Sequence, residues 1–180
     1  MQPSRAWVRL PSGRRLDLIA PTPFDWTDED LAIGLSRTFR WGGHSVWPAP
    51  LSVAQHSLAV LALRRARSRA GLAAAEQRRE LLHDAEEGLL GFDCISPLKP
   101  FLGEGFAALS ARLSAADVAL AAAEAVHVAG WTAAEVRGTL GIKATVLAQD
   151  PLAAAGAEPW RPWPPEVAAE RFLAALRRLG

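Results

Sequence analysis

The sequence predicts an all-α bundle entered through a small N-terminal β-hairpin. Three features carry that expectation. Apolar residues recur at three- and four-residue intervals over most of the chain, as along one face of a helix. The helical stretches run into breakers, Gly71, Gly91 and Gly130 among them. Near the start, two short segments flank Pro11-Ser12-Gly13 and read as strands around a turn.

The elements follow in order. Trp7 to Leu10 and Arg15 to Ile19 form the predicted hairpin, within about residues 5–20. Pro21 and Pro23 punctuate a loop. Thr27 is placed to cap a helix from Asp28 to Phe39, which carries Leu31, Leu35 and Phe39 at helical spacing. Arg40 to Pro50 is a loop with two glycines and two prolines. A helix from Pro50 to about Ala70 and another from about Ala73 to Leu90 come next. Pro97 and Pro100 mark a loop before a long alanine-rich helix, about Gly105 to Ala129. Thr132 caps a short helix to Leu140. A tryptophan- and proline-rich crossing, Pro159 to Pro165, leads to a final amphipathic helix, Glu166 to Leu179. Together these predict a single domain over residues 1–180, with its core in about 27–141.

Composition narrows the function classes. Half of the chain is hydrophobic, enough for a sizeable core, and the net charge of +1 argues against an electrostatic nucleic-acid binder. The basic run at residues 64–69 reads as a solvated helix end. A single cysteine, Cys94, excludes an internal disulfide and a cysteine-based zinc site. No signal-type or membrane-spanning stretch is evident, so the expected compartment is the cytoplasm, with no membrane partner.

The stretch LLHDAEEGLLG sets His83 beside Asp84 in an apolar helix. A carboxylate taken from water there needs a counter-charge or a metal. His56 shares its helix face with Val53, Val60 and Leu63, so it points inward. Asp117 lies in LSAADVALAAAEAV, on a face with Leu113, Leu120, Ala121 and Glu124. His56, His83, Asp84 and Asp117 are therefore four candidate ligands from three predicted helices. Two imidazoles and two carboxylates suit one divalent transition metal, Mn, Co, Fe, Ni or Zn. An octahedral ion would keep positions open for water and a phosphoryl oxygen. Glu87, one turn after His83, is placed to orient that water or to protonate a leaving oxygen. Arg40 can clamp a phosphate through paired hydrogen bonds, and Trp41 and Trp47 can stack on a base or sugar.

Plainer readings stand beside each of these. His56 can be a core histidine, Asp117 a partner for Arg112, and Glu86 and Glu87 a solvated edge or partners for Arg78 and Arg79. Arg40 can lie on the surface. His44 can reach a substrate phosphate or simply cap its loop, and His127 can interact with a helix dipole.

Taken together, SVAQHSLAV, LLHDAEEGLLG, FDCISPLKPFLG and ADVALAAAEAVHVAGW resemble the HD-domain phosphohydrolases, in particular their small 5'-deoxynucleotidase-like, phage-type branch. That group carries a His-Ser helix, an HDxxE helix, a Gly-Asp-x-x-x-Pro-x-Lys-like loop and a distal aspartate. The segment LSRTFRWGGHSVWPAPLSVAQHS resembles its Arg-aromatic-Gly-Gly-His loop, and the likeness covers roughly residues 5–131. The resemblance implies that His56, His83, Asp84 and Asp117 bind the metal, with Asp84 and Glu87 serving catalysis. It implies that Arg40, Trp41 and Asp93 meet the substrate, and it suggests a homodimer; His44 and Lys99 complete the expected substrate-binding residues.

Three positions depart from the family's pattern. GFDCISPLK has an extra residue between its glycine and Asp93. The stretch before Asp117 is short, which leaves Asp150 as an alternative fourth ligand. Gln55 stands where a glutamate is frequent. The function expected is removal of the 5'-phosphate from (deoxy)nucleoside monophosphates. Hydrolysis of another phosphoester, such as an alarmone or cyclic nucleotide, and a silent HD nucleotide-binding or interaction module are the alternatives.

Overall fold

A computed structural model describes residues 6–93, 115–156 and 158–180. The described residues are mostly helical, with one small antiparallel hairpin among them. Strands β1 (Trp7–Arg9) and β2 (Arg15–Asp17) pair Trp7 with Asp17, Val8 with Leu16 and Arg9 with Arg15. Gly13 turns between them at φ +85, a conformation that glycine adopts without strain. Leu16 is buried, and Arg15 stacks on Trp7 with its guanidinium carbon 5.1 Å from the ring centre.

Asp30 ties the hairpin to the first helix, α1 (Asp28–Arg37). Its carboxylate accepts the Ser12 amide at 2.8 Å and the Ser12 hydroxyl at 2.6 Å. It also closes the expected cap with Thr27, whose hydroxyl accepts from the Asp30 amide while Asp30 accepts from the Thr27 amide. One side chain thus satisfies a turn and a helix start.

After α1 the chain makes an isolated antiparallel bridge, Phe39 to Ser52. The Arg40 amide donates to Leu51 O at 2.8 Å, and the Val53 amide donates to Thr38 O at 2.9 Å. Everything between, including a tight 3-10 turn over Arg40–Gly43, is an excursion that returns to its starting point. The bridge holds Arg40 beside the start of α2 (Val53–Arg67), which Ser52 caps through the Gln55 amide.

The sequence predicts one helix from Ala73 to Leu90. The structure has two, α3 (Ala74–Leu81) and α4 (Ala85–Leu90), broken at His83-Asp84. At the break the backbone leaves the helical range at Leu82 (φ −102, ψ 13) and Asp84 (φ −115, ψ 28). Between them His83 Nδ1 donates back to the Glu80 carbonyl at 2.8 Å. His83, Asp84 and Glu87 therefore do not line one edge of one helix: the first two sit at the break and Glu87 in the turn beyond it. Arg64 to Glu80 and Arg65 to Gln77 fasten α3 to α2.

The next described helix, α5 (Ala115–His127), ends near Gly130 as expected, while the predicted start at Gly105 lies outside the described residues. Thr132 caps α6 (Ala133–Gly138) in a reciprocal bond with Glu135. α7 (Pro165–Arg178) opens on a proline, where a helix has no use for the missing amide hydrogen.

α2 lies at the centre. One side packs with α1 and α7 through Leu31, Leu35, Val53, Leu61, Phe172 and Leu176. The other packs on α5 through Ala59, Val60, Ala116, Ala119 and Leu120. Beside these contacts His56 of α2 and Asp117 and Glu124 of α5 are buried. Among the described residues, no helix is long and apolar enough to cross a membrane.

Candidate metal centre

The four predicted donors meet at one point. α2 supplies His56, which is fully buried; the α3–α4 break supplies His83 and Asp84; the first turn of α5 supplies Asp117. His83 Nε2 lies 3.0 Å from Asp84 Oδ2, and His56 Nε2 lies 3.1 Å from Asp117 Oδ1. The cross distances are 3.6 Å for His56 to Asp84 and 3.9 Å for His83 to Asp117. The two Nε2 atoms are 3.3 Å apart. Donor atoms of His56, His83 and Asp117 all fall within 4.8 Å of one another, so this cluster can bind a metal ion.

The outer ring nitrogens say what the inner ones present. His83 Nδ1 faces a carbonyl, which only accepts, so that nitrogen carries hydrogen. His56 Nδ1 lies 2.7 Å from Glu124 Oε1, a carboxylate oxygen, and carries hydrogen for the same reason. In the neutral rings both Nε2 atoms then aim lone pairs at each other and at two carboxylates. Such a meeting is repulsive unless a cation or a proton sits in it. A metal-binding imidazole has the same arrangement, with its far nitrogen donating to a carboxylate or carbonyl. The donor set and its supports therefore fit a divalent metal.

Charge keeps the carboxylates ionised. Burial works against the Asp84 carboxylate, but the His83 bond and the charges of His56 and Arg40 hold it well below the usual range. Asp117 is opposed by burial and lowered by its bond to His56. His56 shows the converse. Burial and Arg40 oppose its protonation, yet Glu124 and Asp117 outweigh them and push its pKa up to about 10. A proton on His56 and a metal between the rings are thus alternative answers to the same excess of negative charge.

Two predicted neighbours border the cluster. Arg40 reaches Glu124 Oε2 through Nε at 3.4 Å, and its Nη1 lies 3.8 Å from both Asp84 and Asp93. The latter two are ion pairs beyond hydrogen-bond reach. Glu87 is buried and its Oε2 has no hydrogen-bond partner among the described residues. Burial first, then Asp84 and Asp93, push its pKa up to about 8. It is a neutral acid at neutral pH, unlike Asp84 three residues earlier.

Other predicted residues fall further out. Trp41 sits in the left-handed region at φ 58 and packs beside Ala122, Ala125 and Val136, with its indole nitrogen unpartnered among the described residues. Trp47 donates to His127 O at 3.0 Å. His44 is exposed, and its amide closes the 3-10 turn onto Trp41 O; none of the described hydrogen bonds or ion pairs joins its ring to the donors. Lys99 and Arg112 lie outside the described residues. Asp150 is not in the cluster. It accepts from the Leu152 amide at 2.8 Å and the Trp160 amide at 2.7 Å, as a loop brace. His127 stacks on Trp160 and donates to Leu147 O.

Two residues take parts that the sequence did not assign. Glu124 joins the cluster from behind His56; its signal is a charge seven residues after Asp117 in a helix otherwise almost wholly apolar. Gln55 is buried beside His56. Its amide nitrogen donates to Arg161 O at 3.0 Å and its oxygen accepts the Trp163 amide at 2.7 Å.

No protein-family model matches the chain. It is similar to an uncharacterized protein of Rhodobacter capsulatus, 47% identical over 112 residues that make up 62% of this chain and 56% of that protein. The chain thus spans little more than half the length of that relative.

Proposed function

We propose that this chain is a metal-dependent phosphohydrolase of the HD-domain type, acting on (deoxy)nucleoside monophosphates and releasing their 5'-phosphate. The observation that carries the reading is the meeting of His56, His83, Asp84 and Asp117 with the partly buried Arg40 and the buried Glu87 at its edge. Those are the parts that phosphate-ester hydrolysis needs: a cation site, an anion clamp and an acid.

A divalent ion held by His56, His83, Asp84 and Asp117 would supply an activated water and neutralise charge on the phosphoryl group. The chain's own residues do the rest. Arg40 is fixed at Nε by Glu124, and its terminal nitrogens are available to a phosphoryl oxygen. Glu87, buried at the edge of the cluster, is the group proposed to protonate the departing 5'-oxygen. Trp41, which follows Arg40 in a left-handed turn, is the aromatic side chain proposed to meet a base or sugar.

The test is phosphate release from a panel of deoxy- and ribonucleotides by protein stripped of metal and then given Mn, Co, Ni or Zn. Release should require the ion and vanish in His83→Ala and Asp117→Ala. Robust turnover in Asp117→Ala would remove the ligand assignment. Tight nucleotide binding without turnover under any metal would replace the enzyme with a binding module.

A further inference from the structure

We propose that Glu124 is a positioning residue which braces the metal ligand His56 and the phosphate-facing Arg40 on one carboxylate, so that the cation site and the anion site depend on the same side chain. The inference rests on the functional reading above and adds to it the second contact of Glu124, with His56.

The geometry is specific. Glu124 Oε1 accepts from His56 Nδ1 at 2.7 Å, and Oε2 accepts from Arg40 Nε at 3.4 Å. Glu124 is 2% exposed, so water does not compete for either oxygen. The three residues come from α5, α2 and the turn after α1, separated by 68 and 84 positions in sequence. α5 therefore supplies a ligand, Asp117, in its first turn and a brace, Glu124, two turns on.

The first bond fixes the ring. With hydrogen on Nδ1, His56 must turn a lone pair toward the cation site, and the carboxylate makes that lone pair a stronger donor. The second bond takes Arg40 Nε, the guanidinium nitrogen set back from the fork of its two terminal NH2 groups. The fork is then left facing Asp84 and Asp93 at the edge of the donor cluster. A carboxylate is the group that can do both, because both its oxygens accept. A glutamine of the same shape has one acceptor and one donor end. If its oxygen meets His56, its NH2 opposes the Arg40 Nε–H. If its oxygen meets Arg40, its NH2 forces His56 into the other tautomer, which carries hydrogen where the lone pair should be.

A plain charge effect predicts something different. Removing a negative charge near an anion site should tighten phosphate binding. Loss of a brace should weaken it. The experiment measures Mn2+ uptake by metal-stripped protein by calorimetry, then inorganic phosphate binding to the Mn2+-saturated protein, in the parent, Glu124→Gln and Glu124→Asp. The aspartate keeps the charge but is too short for both contacts. Both variants should lose roughly ten- to hundred-fold in Mn2+ affinity and roughly ten-fold in phosphate affinity. With Zn2+ in place of Mn2+, proton NMR of the parent should show a downfield His56 Nδ1–H that Glu124→Gln displaces. Phosphate binding that stays the same or tightens in folded variants overturns the proposal, as does a missing Nδ1–H signal in the parent. Should Glu124→Gln give no cooperative thermal transition, Glu124→Asp decides. A parent that takes up no metal fails the functional reading itself; a parent that binds both probes, with variants that match it, fails only the brace.

Discussion

Gly34 of α1 and Gly88 of α4 meet backbone to backbone, with no room for a side chain on either. A Cβ on Gly34 would sit 2.1 Å from the Gly88 carbonyl oxygen, and one on Gly88 would sit 2.6 Å from Leu35 Cγ. The Thr38 hydroxyl at the end of α1 reinforces the crossing through the Gly34 and Glu87 carbonyls, at 3.0 and 3.3 Å. This contact sets the height of Glu87 against the donor cluster.

Gly34→Ala should therefore cost about 1–3 kcal/mol by forcing the two helices apart. Because Glu87 moves with α4, turnover under the proposed function should fall further than stability alone explains. Urea denaturation and steady-state kinetics check the two parts separately. A variant with the parent's midpoint would show that the crossing yields freely.

Glu87 gives a pH signature. Its unfolded value is near 4.5 and its folded value is raised to about 8 by burial, Asp84 and Asp93. Between those limits the unfolded chain has lost a proton that the folded chain keeps, so metal-free stability falls as pH rises through this window. Glu87→Gln removes the effect. The variant should match the parent at pH 4 and exceed it at pH 8, while turnover is lost. Equal stability at both pH values would mean that Glu87 ionises normally.

Asp30 behaves in the opposite sense. Burial would raise its pKa, but the Ser12 and Thr27 hydrogen bonds prevail and lower it below 3.8. Its contribution is thus present above the unfolded value and lost as pH falls through the lowered one. Asp30→Asn should cost about 2 kcal/mol at pH 7 through the damaged cap and turn, and the deficit should shrink in strong acid. A deficit that stays constant down to pH 2 would contradict the ionised-cap account.

Gln55→Glu is a near-isosteric change with a directional outcome. The Gln55 amide both donates to Arg161 O and accepts from the Trp163 amide. A carboxylate keeps only the second bond and turns an oxygen toward a carbonyl. The melting temperature should drop at neutral pH and recover in part in acid, where the carboxyl again carries a hydrogen. A pH-independent melting temperature would indicate that the loop simply moves away.

The helix starts were the most legible parts of the sequence. Thr27 and Thr132 cap helices because their hydroxyls act within three residues, a range that sequence spacing captures. The break at His83 was not legible. The periodic residues on either side suit an unbroken helix equally well, and no glycine or proline marks the point where Leu82 and Asp84 leave the helical range. The inward faces of His56 and Asp117 were readable from spacing on apolar helices. Glu124 was visible as a charge on the same stripe, but its two partners come from elsewhere in the chain, and nothing local names them. Gln55 escaped for the same reason: its partners lie more than a hundred positions away.

The Gln55 contact also limits how this protein can be shortened. Residues 161–163 lean on the position immediately before His56, and Phe172 and Leu176 fill the space behind Val53 and Leu61. Helix α7 is thus part of the core around α1 and α2 and not a detachable segment. Any truncation that stops before Trp163 would take the donor from the buried Gln55 amide next to His56 and open the α1–α2 contact to water.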